Sequence, residues 1–145
     1  MARIDKEIII NASIDKVFSY VSDFRNWPEL WPSLLAAEDV QSLPNGGYSA
    51  RYEYKMVGVR FTGMGEFTEY VPNQWIVINT KGGIHSTITC TFRAIEDKTR
   101  VTLTIEYVVP VPLLGKLTEY VILKMNDQEA NLVLMNLQLR FLIDT

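Results

Sequence analysis

From Pro110 to the end of the chain, apolar side chains recur at spacings of three and four. Leu114, Leu117, Val121, Met125, Gln128, Leu132, Met135, Leu139 and Leu142 follow this rhythm, which is one face of an α-helix. Lys116, Glu119, Asp127, Asn131 and Gln138 fall away from that face. Pro112 suits a first helical turn, where its missing N–H is not needed. Some 30 residues at 1.5 Å each would make a rod about 45 Å long. A rod with an apolar stripe must lie across another apolar surface. Lys116, Glu119, Lys124, Asp127 and Glu129 interrupt the segment, which argues against a transmembrane span. A coiled-coil strand and a core helix are the two readings left, and the upstream sequence decides between them.

Upstream the period is two. Arg3 to Asn11 predicts a strand with Ile4, Ile8 and Ile10 on one face. Ser13 is an N-cap candidate for a helix to about Ser22, with a stripe of Ile14, Val17, Phe18 and Val21. Asn26, Pro28 and Glu29 have the form of a capping box opening a second short helix, which carries Trp27, Leu30 and Trp31 and stops at Pro32. Leu35 to Leu43 is a strand of poor alternation, and Pro44-Asn45-Gly46-Gly47 a hairpin turn. Tyr48, Ala50, Tyr52, Tyr54 and Met56 then oppose Ser49, Arg51, Glu53 and Lys55. After Gly58, Val59, Phe61, Gly63, Gly65 and Phe67 oppose Arg60, Thr62, Glu66 and Thr68. Trp75 to Lys81 is too uniformly apolar for its faces to be assigned. Ile84, Ile88, Cys90, Phe92 and Ala94 oppose His85, Thr87, Thr89, Thr91 and Arg93. Val101, Leu103, Ile105, Tyr107 and Val109 oppose Thr102, Thr104 and Glu106.

The result is an α+β chain: about seven strands joined mainly by tight turns, hence an antiparallel sheet, with two short helices after strand one and a long C-terminal helix. One sheet face is rich in Thr, Arg, Lys and Glu and should meet water. The other is apolar and aromatic, so the long helix finds its partner within its own chain, and the core-helix reading prevails. A length of 145 residues suits one domain, residues 1–145, and a hydrophobic content of 48% argues against disorder. The net charge of −3, with scattered Lys and Arg, gives no nucleic-acid surface. Cys90 is the lone cysteine, and MARIDKEIII has no signal-peptide character, so a cytoplasmic location is expected.

INASIDKVFSYVSDFRNWPELWP near the start and TRVTLTIEYVVPVPLLGKL before the last helix carry a family resemblance. The chain resembles the START-like (SRPBCC) superfamily that includes the major birch-pollen allergen. More closely it resembles the polyketide cyclase/dehydrase and lipid-transport branch. The resemblance covers essentially the whole chain. It implies a helix-grip fold, a curved sheet around the long helix with a tunnel between them. It implies no universal catalytic motif, because members bind, carry or transform very different ligands.

A tunnel of that kind suits an apolar or amphipathic small molecule. Tyr52, Tyr54, Phe61, Phe67, Phe92 and Tyr107 share the inner parity, and several buried phenols are easier to satisfy around a ligand-filled space than in dry packing. Trp27 and Trp31 are candidates for the entrance. Leu117, Val121 and Met125 are the helix residues expected to face the ligand, with Gln128 and Asn79 as polar anchors. Glu69 has the parity of Phe67, which a bulge would reverse. One histidine excludes a two-histidine metal site and a Ser-His-Asp triad on the inner face, since His85 has the outer parity. No cofactor or metal is expected, and the catalytic residues, if any, are not legible. The expected function is binding or carrying a hydrophobic molecule such as a lipid, isoprenoid or polyketide. The alternatives are a polyketide cyclase or dehydratase, and a protein-interaction module like the superfamily's chaperone activators. A protein partner or a homodimer is compatible with each.

Overall fold

The computed structural model describes residues 2–108 and 116–143, with side chains placed for 2–108 and 120–142. The chain opens with β1 (Ala2–Ile10), α1 (Ile14–Val21), a 3-10 turn (Phe24–Asn26) and α2 (Trp27–Leu30). β2 (Leu34–Ser42), β3 (Tyr48–Met56), β4 (Val59–Val71), β5 (Trp75–Gly82), β6 (Ser86–Ile95) and β7 (Lys98–Tyr107) follow, and α3 (Lys116–Ile143) ends it. The seven strands form one antiparallel sheet in the order β1-β7-β6-β5-β4-β3-β2. β1 and β2 therefore lie at opposite edges, and α1 and α2 carry the chain across the concave face between them.

The alternating pattern places the predicted inner set inward. Ile88, Cys90, Phe92, Val101, Leu103, Ile105 and Tyr107 are all buried. β5 resolves as Ile76 and Ile78 inward with Asn79 outward. A bulge between Phe67 and Glu69 reverses the parity of β4, so Glu69 is exposed and accepts a hydrogen bond from Trp75 Nε1 at 3.1 Å. Ala94, expected inward, is exposed beside the β6–β7 turn. The capping box does not form. Asn26 Nδ2 instead donates to the Tyr20 carbonyl and Glu29 accepts from the Tyr20 hydroxyl, tying α1 to α2.

α3 departs most from the expected packing. Its inward face is Ile122, Ala130, Val133, Leu134 and Leu137, together with Glu129, all buried. Val121, Met125, Leu132, Met135 and Leu139, expected to face the sheet, lie on the opposite face and are about half exposed. Gln128 is exposed there with them. The helix carries apolar side chains on two faces. The outer stripe has one polar interruption and the inner one has Asn126 and Glu129, so hydrophobicity alone favours the wrong stripe. Leu114 lies outside the described residues, as does the side chain of Leu117. Polar contacts outside the cavity help fix the helix: Lys6 Nζ to Asp127 at 3.1 Å, Asn136 Nδ2 to the Leu30 carbonyl at 2.9 Å, and Gln138 Nε2 to the Ile9 carbonyl at 3.3 Å.

Val57 and Gly58 join β3 to β4 with φ of 51° and 77°, the two positive values of a type I′ turn. A β-branched residue is ill suited to the first position, where the left-handed conformation costs roughly 1–2 kcal/mol. Val57→Asn should therefore stabilise the fold by about 1 kcal/mol, a rise in melting temperature of about 4 °C. A fall in thermal unfolding temperature would contradict this account of the turn.

Candidate functional site

Between the sheet, α2 and the first half of α3 lies a cavity of about 120 Å³. One water needs some 10–15 Å³ of such space, so this is room for a small molecule rather than a packing flaw. Its origin is visible in the packing on either side. At one end Ile122 of α3 meets Met56 and Ile84. At the other, Ala130, Val133, Leu134 and Leu137 join the main core with Ile10, Val17 and Val101. Between these contacts α3 presents Asn126 and Glu129, which line the cavity. Period-two alternation brings Ala50, Tyr52, Tyr54 and Met56 of β3 to the wall, where Gly65 of β4 adds no side chain. Trp27 and Trp31 stack at 5.8 Å and 20° and form the side nearest α2. Trp27 is fixed by its indole N–H, which donates to the Val21 carbonyl at 2.8 Å.

The polar groups form two sets. In the first, the Tyr54 hydroxyl donates to Glu129 Oε1, and the backbone N–H of Ser33 donates to Glu129 Oε2 at 2.7 Å. Asn126 Nδ2 donates to the Tyr107 hydroxyl at 2.9 Å beside them. In the second, Tyr52 accepts from the Ile84 N–H at 2.8 Å and donates to the Ile84 carbonyl at 3.2 Å. Thr80 Oγ1 donates to the same carbonyl at 2.8 Å and lies 2.5 Å from Ser86 Oγ. Among the described residues, no buried side-chain nitrogen or oxygen lacks a partner. A half-satisfied network would cost more than an apolar core, so this completeness is what allows polar groups here.

Burial, and then the neighbouring Glu129 carboxylate, push the Tyr54 phenol far above its ordinary value. Burial also raises Tyr52 and Tyr107. The folded protein thus holds these protons to a higher pH than the unfolded chain, whose tyrosines titrate near about 10. The stability they contribute is present in full below about pH 10 and falls as pH rises past it, because the unfolded state then binds fewer protons. The part of the phenolate absorbance that belongs to these three tyrosines should therefore appear during alkaline titration only together with loss of near-UV circular dichroism. Full ionisation of all tyrosines in a still-folded protein would overturn this.

Of the residues expected at the site, the structure brings together Trp31, Tyr52, Tyr54 and Tyr107. Phe67 and Phe92 sit in solid core, in edge contacts with Phe24 at 4.8 Å and Phe18 at 5.1 Å. Phe61 packs on the Met56–Ile84–Ile122 cluster. Asn79 is on the outer sheet face, accepting from Thr87 Oγ1 at 3.1 Å. Val121, Met125 and Gln128 are on the outer face of α3, away from the cavity. Sequence reasoning missed Glu129, Asn126, Thr80 and Ser86. The signal for the first two was a second 3–4 rhythm, Ile122-Asn126-Glu129-Val133-Leu137, with polar residues inside an otherwise apolar stripe.

Residues 1–138 match the family model described as polyketide cyclase / dehydrase and lipid transport. The chain belongs to this family. Its START-like, helix-grip architecture recurs in solved structures. A START superfamily protein from Mycobacterium smegmatis is 16% identical with a TM-score of 0.81, each chain covered to 99%. A protein of Thermus thermophilus is 21% identical with a TM-score of 0.77, again with 99% of both chains covered. The Zhui aromatase/cyclase from Streptomyces sp. R1128 is 14% identical with a TM-score of 0.73, covering 96% of this chain and 94% of that one. No curated protein matches the sequence. For this member of the polyketide cyclase/dehydrase and lipid-transport family, those likenesses establish the fold, and the chemistry rests on the cavity. Among the described residues no helix is long and apolar enough to cross a membrane.

Proposed function

We propose that this protein binds and carries an apolar or amphipathic small molecule in the cavity between the sheet and α3. The observation that carries the reading is the cavity itself, with aromatic and aliphatic walls and a few convergent polar groups, which is the usual make-up of a small-molecule site. Native mass spectrometry of protein purified from its host should reveal a co-purifying molecule of defined mass. Titration with the neutral dye Nile red should give saturable binding that a bulky cavity substitution removes. No retained molecule together with no saturable dye binding would remove the basis of the reading.

A second reading, acid–base catalysis on a polyketide-like substrate, draws on the Tyr54–Glu129 pair and on the aromatase/cyclase among the structural neighbours. Efficient proton transfer wants a pKa near the working pH. Tyr54 is shifted far upward, which makes it a poor acid at neutral pH and leaves Glu129 to act alone. Binding is therefore the reading better supported.

A further inference from the structure

We infer that the cavity selects ligands whose polar end donates hydrogen bonds, an alcohol, phenol or amine, and discriminates against carboxylates and phosphates. This rests on the binding reading above. Among the described residues no Lys, Arg or His lines the cavity, and Glu129 is the one acidic residue there. The two groups that bond Glu129, the Tyr54 hydroxyl and the Ser33 N–H, are neutral donors, so the carboxylate has no cation beside it among the described residues. Each carboxylate oxygen can accept more than one hydrogen bond, so acceptor capacity remains for a ligand. The second polar set is biased the same way. Tyr52 and Thr80 both give their protons to the Ile84 carbonyl, and Ser86 is left to donate to Thr80. The lone pairs of these oxygens are what the set offers. The Tyr107 hydroxyl and the Asn126 amide can still donate, but one neutral phenol and one amide do not offset a carboxylate in a space with mainly apolar walls. An anionic head would sit beside Glu129 at low dielectric, where like charges repel far more strongly than in water. An ammonium or hydroxyl head would instead satisfy it.

The test is displacement of Nile red by decanol, decylamine and decanoate at pH 7.5, three probes with one chain and three heads. Decanol and decylamine should displace the dye at least tenfold more strongly than decanoate, and Glu129→Gln should shrink the gap between amine and carboxylate to below threefold. Glutamine keeps an acceptor for one donor and an N–H for the Tyr54 oxygen, so the fold should survive. If it does not, the wild-type series stands alone as the test. Decanoate binding as tightly as the other two, or an unchanged gap in Glu129→Gln, would overturn the inference while leaving the carrier reading intact. Failure of Nile red and all three probes to bind would instead overturn the carrier reading.

Discussion

Gly63→Ala should lose about 3 kcal/mol of stability or more, while Gly65→Ala, two residues along the same strand face, should stay within about 0.5 kcal/mol. A methyl group on Gly63 would run into the Lys81 carbonyl and the ring and hydroxyl of Tyr52. The carbonyl is backbone and belongs to the β4–β5 ladder, where Gly63 pairs with Gly82, so it cannot swing aside without breaking that pairing. Tyr52 cannot yield cheaply either, because its hydroxyl is held by both the N–H and the carbonyl of Ile84. At Gly65 the nearest atoms to an added methyl are Phe24 Cζ at 3.6 Å and Thr80 Cγ2 at 3.7 Å, ordinary contact distances. Urea unfolding of the two variants side by side measures the difference. Equal losses would mean that glycine serves both positions only through general sheet flexibility. The comparison also bears on the site, since the close approach at Gly63 sets the position of Tyr52 in the cavity wall.

The sheet was legible because each inward strand position repeats every second residue and each turn has its own chemistry. Tyr48 to Met56 is the clearest instance, and Asn45 shows the turn side: its Oδ1 accepts from the Gly47 N–H at 2.9 Å. Glu69 was ambiguous for a physical reason, because a bulge adds one residue and leaves no mark in the alternation. On α3 the period was right and the face was wrong. A helix with two apolar faces has no hydrophobic asymmetry to read, and the inner face is the one interrupted by Asn126 and Glu129. Those two residues are inward because the cavity supplies them with Tyr107, Tyr54 and Ser33 as partners. Such partners lie 19 to 96 residues away in sequence, so no local pattern encodes them. The coiled-coil rhythm on the outer face competes with the core assignment in the sequence. In the structure the two belong to opposite sides of one helix.

Ala50→Phe should keep or raise the melting temperature of the ligand-free protein and weaken Nile red binding by tenfold or more. Ala50 is 3% exposed, lines the cavity wall, and pairs across the sheet with Gly65, which has no side chain to obstruct a ring. A phenyl group there would enter the open space and bury new apolar surface, worth roughly 25 cal/mol per Å². Ile76→Phe is the matched control. Ile76 is fully buried in the main core and does not line the cavity, so extra volume there must displace close-packed neighbours. Overpacking of that kind costs typically about 1–3 kcal/mol, and dye binding should be largely retained. The two substitutions thus separate open space from solid core by the sign of their effects on stability and on binding. Thermal unfolding and dye titration read both. If Ala50→Phe destabilises as much as Ile76→Phe, the space between α3 and the sheet is filled by packing in solution. The polar groups around Glu129 would then be a structural network within the core, and a ligand would have to bind elsewhere.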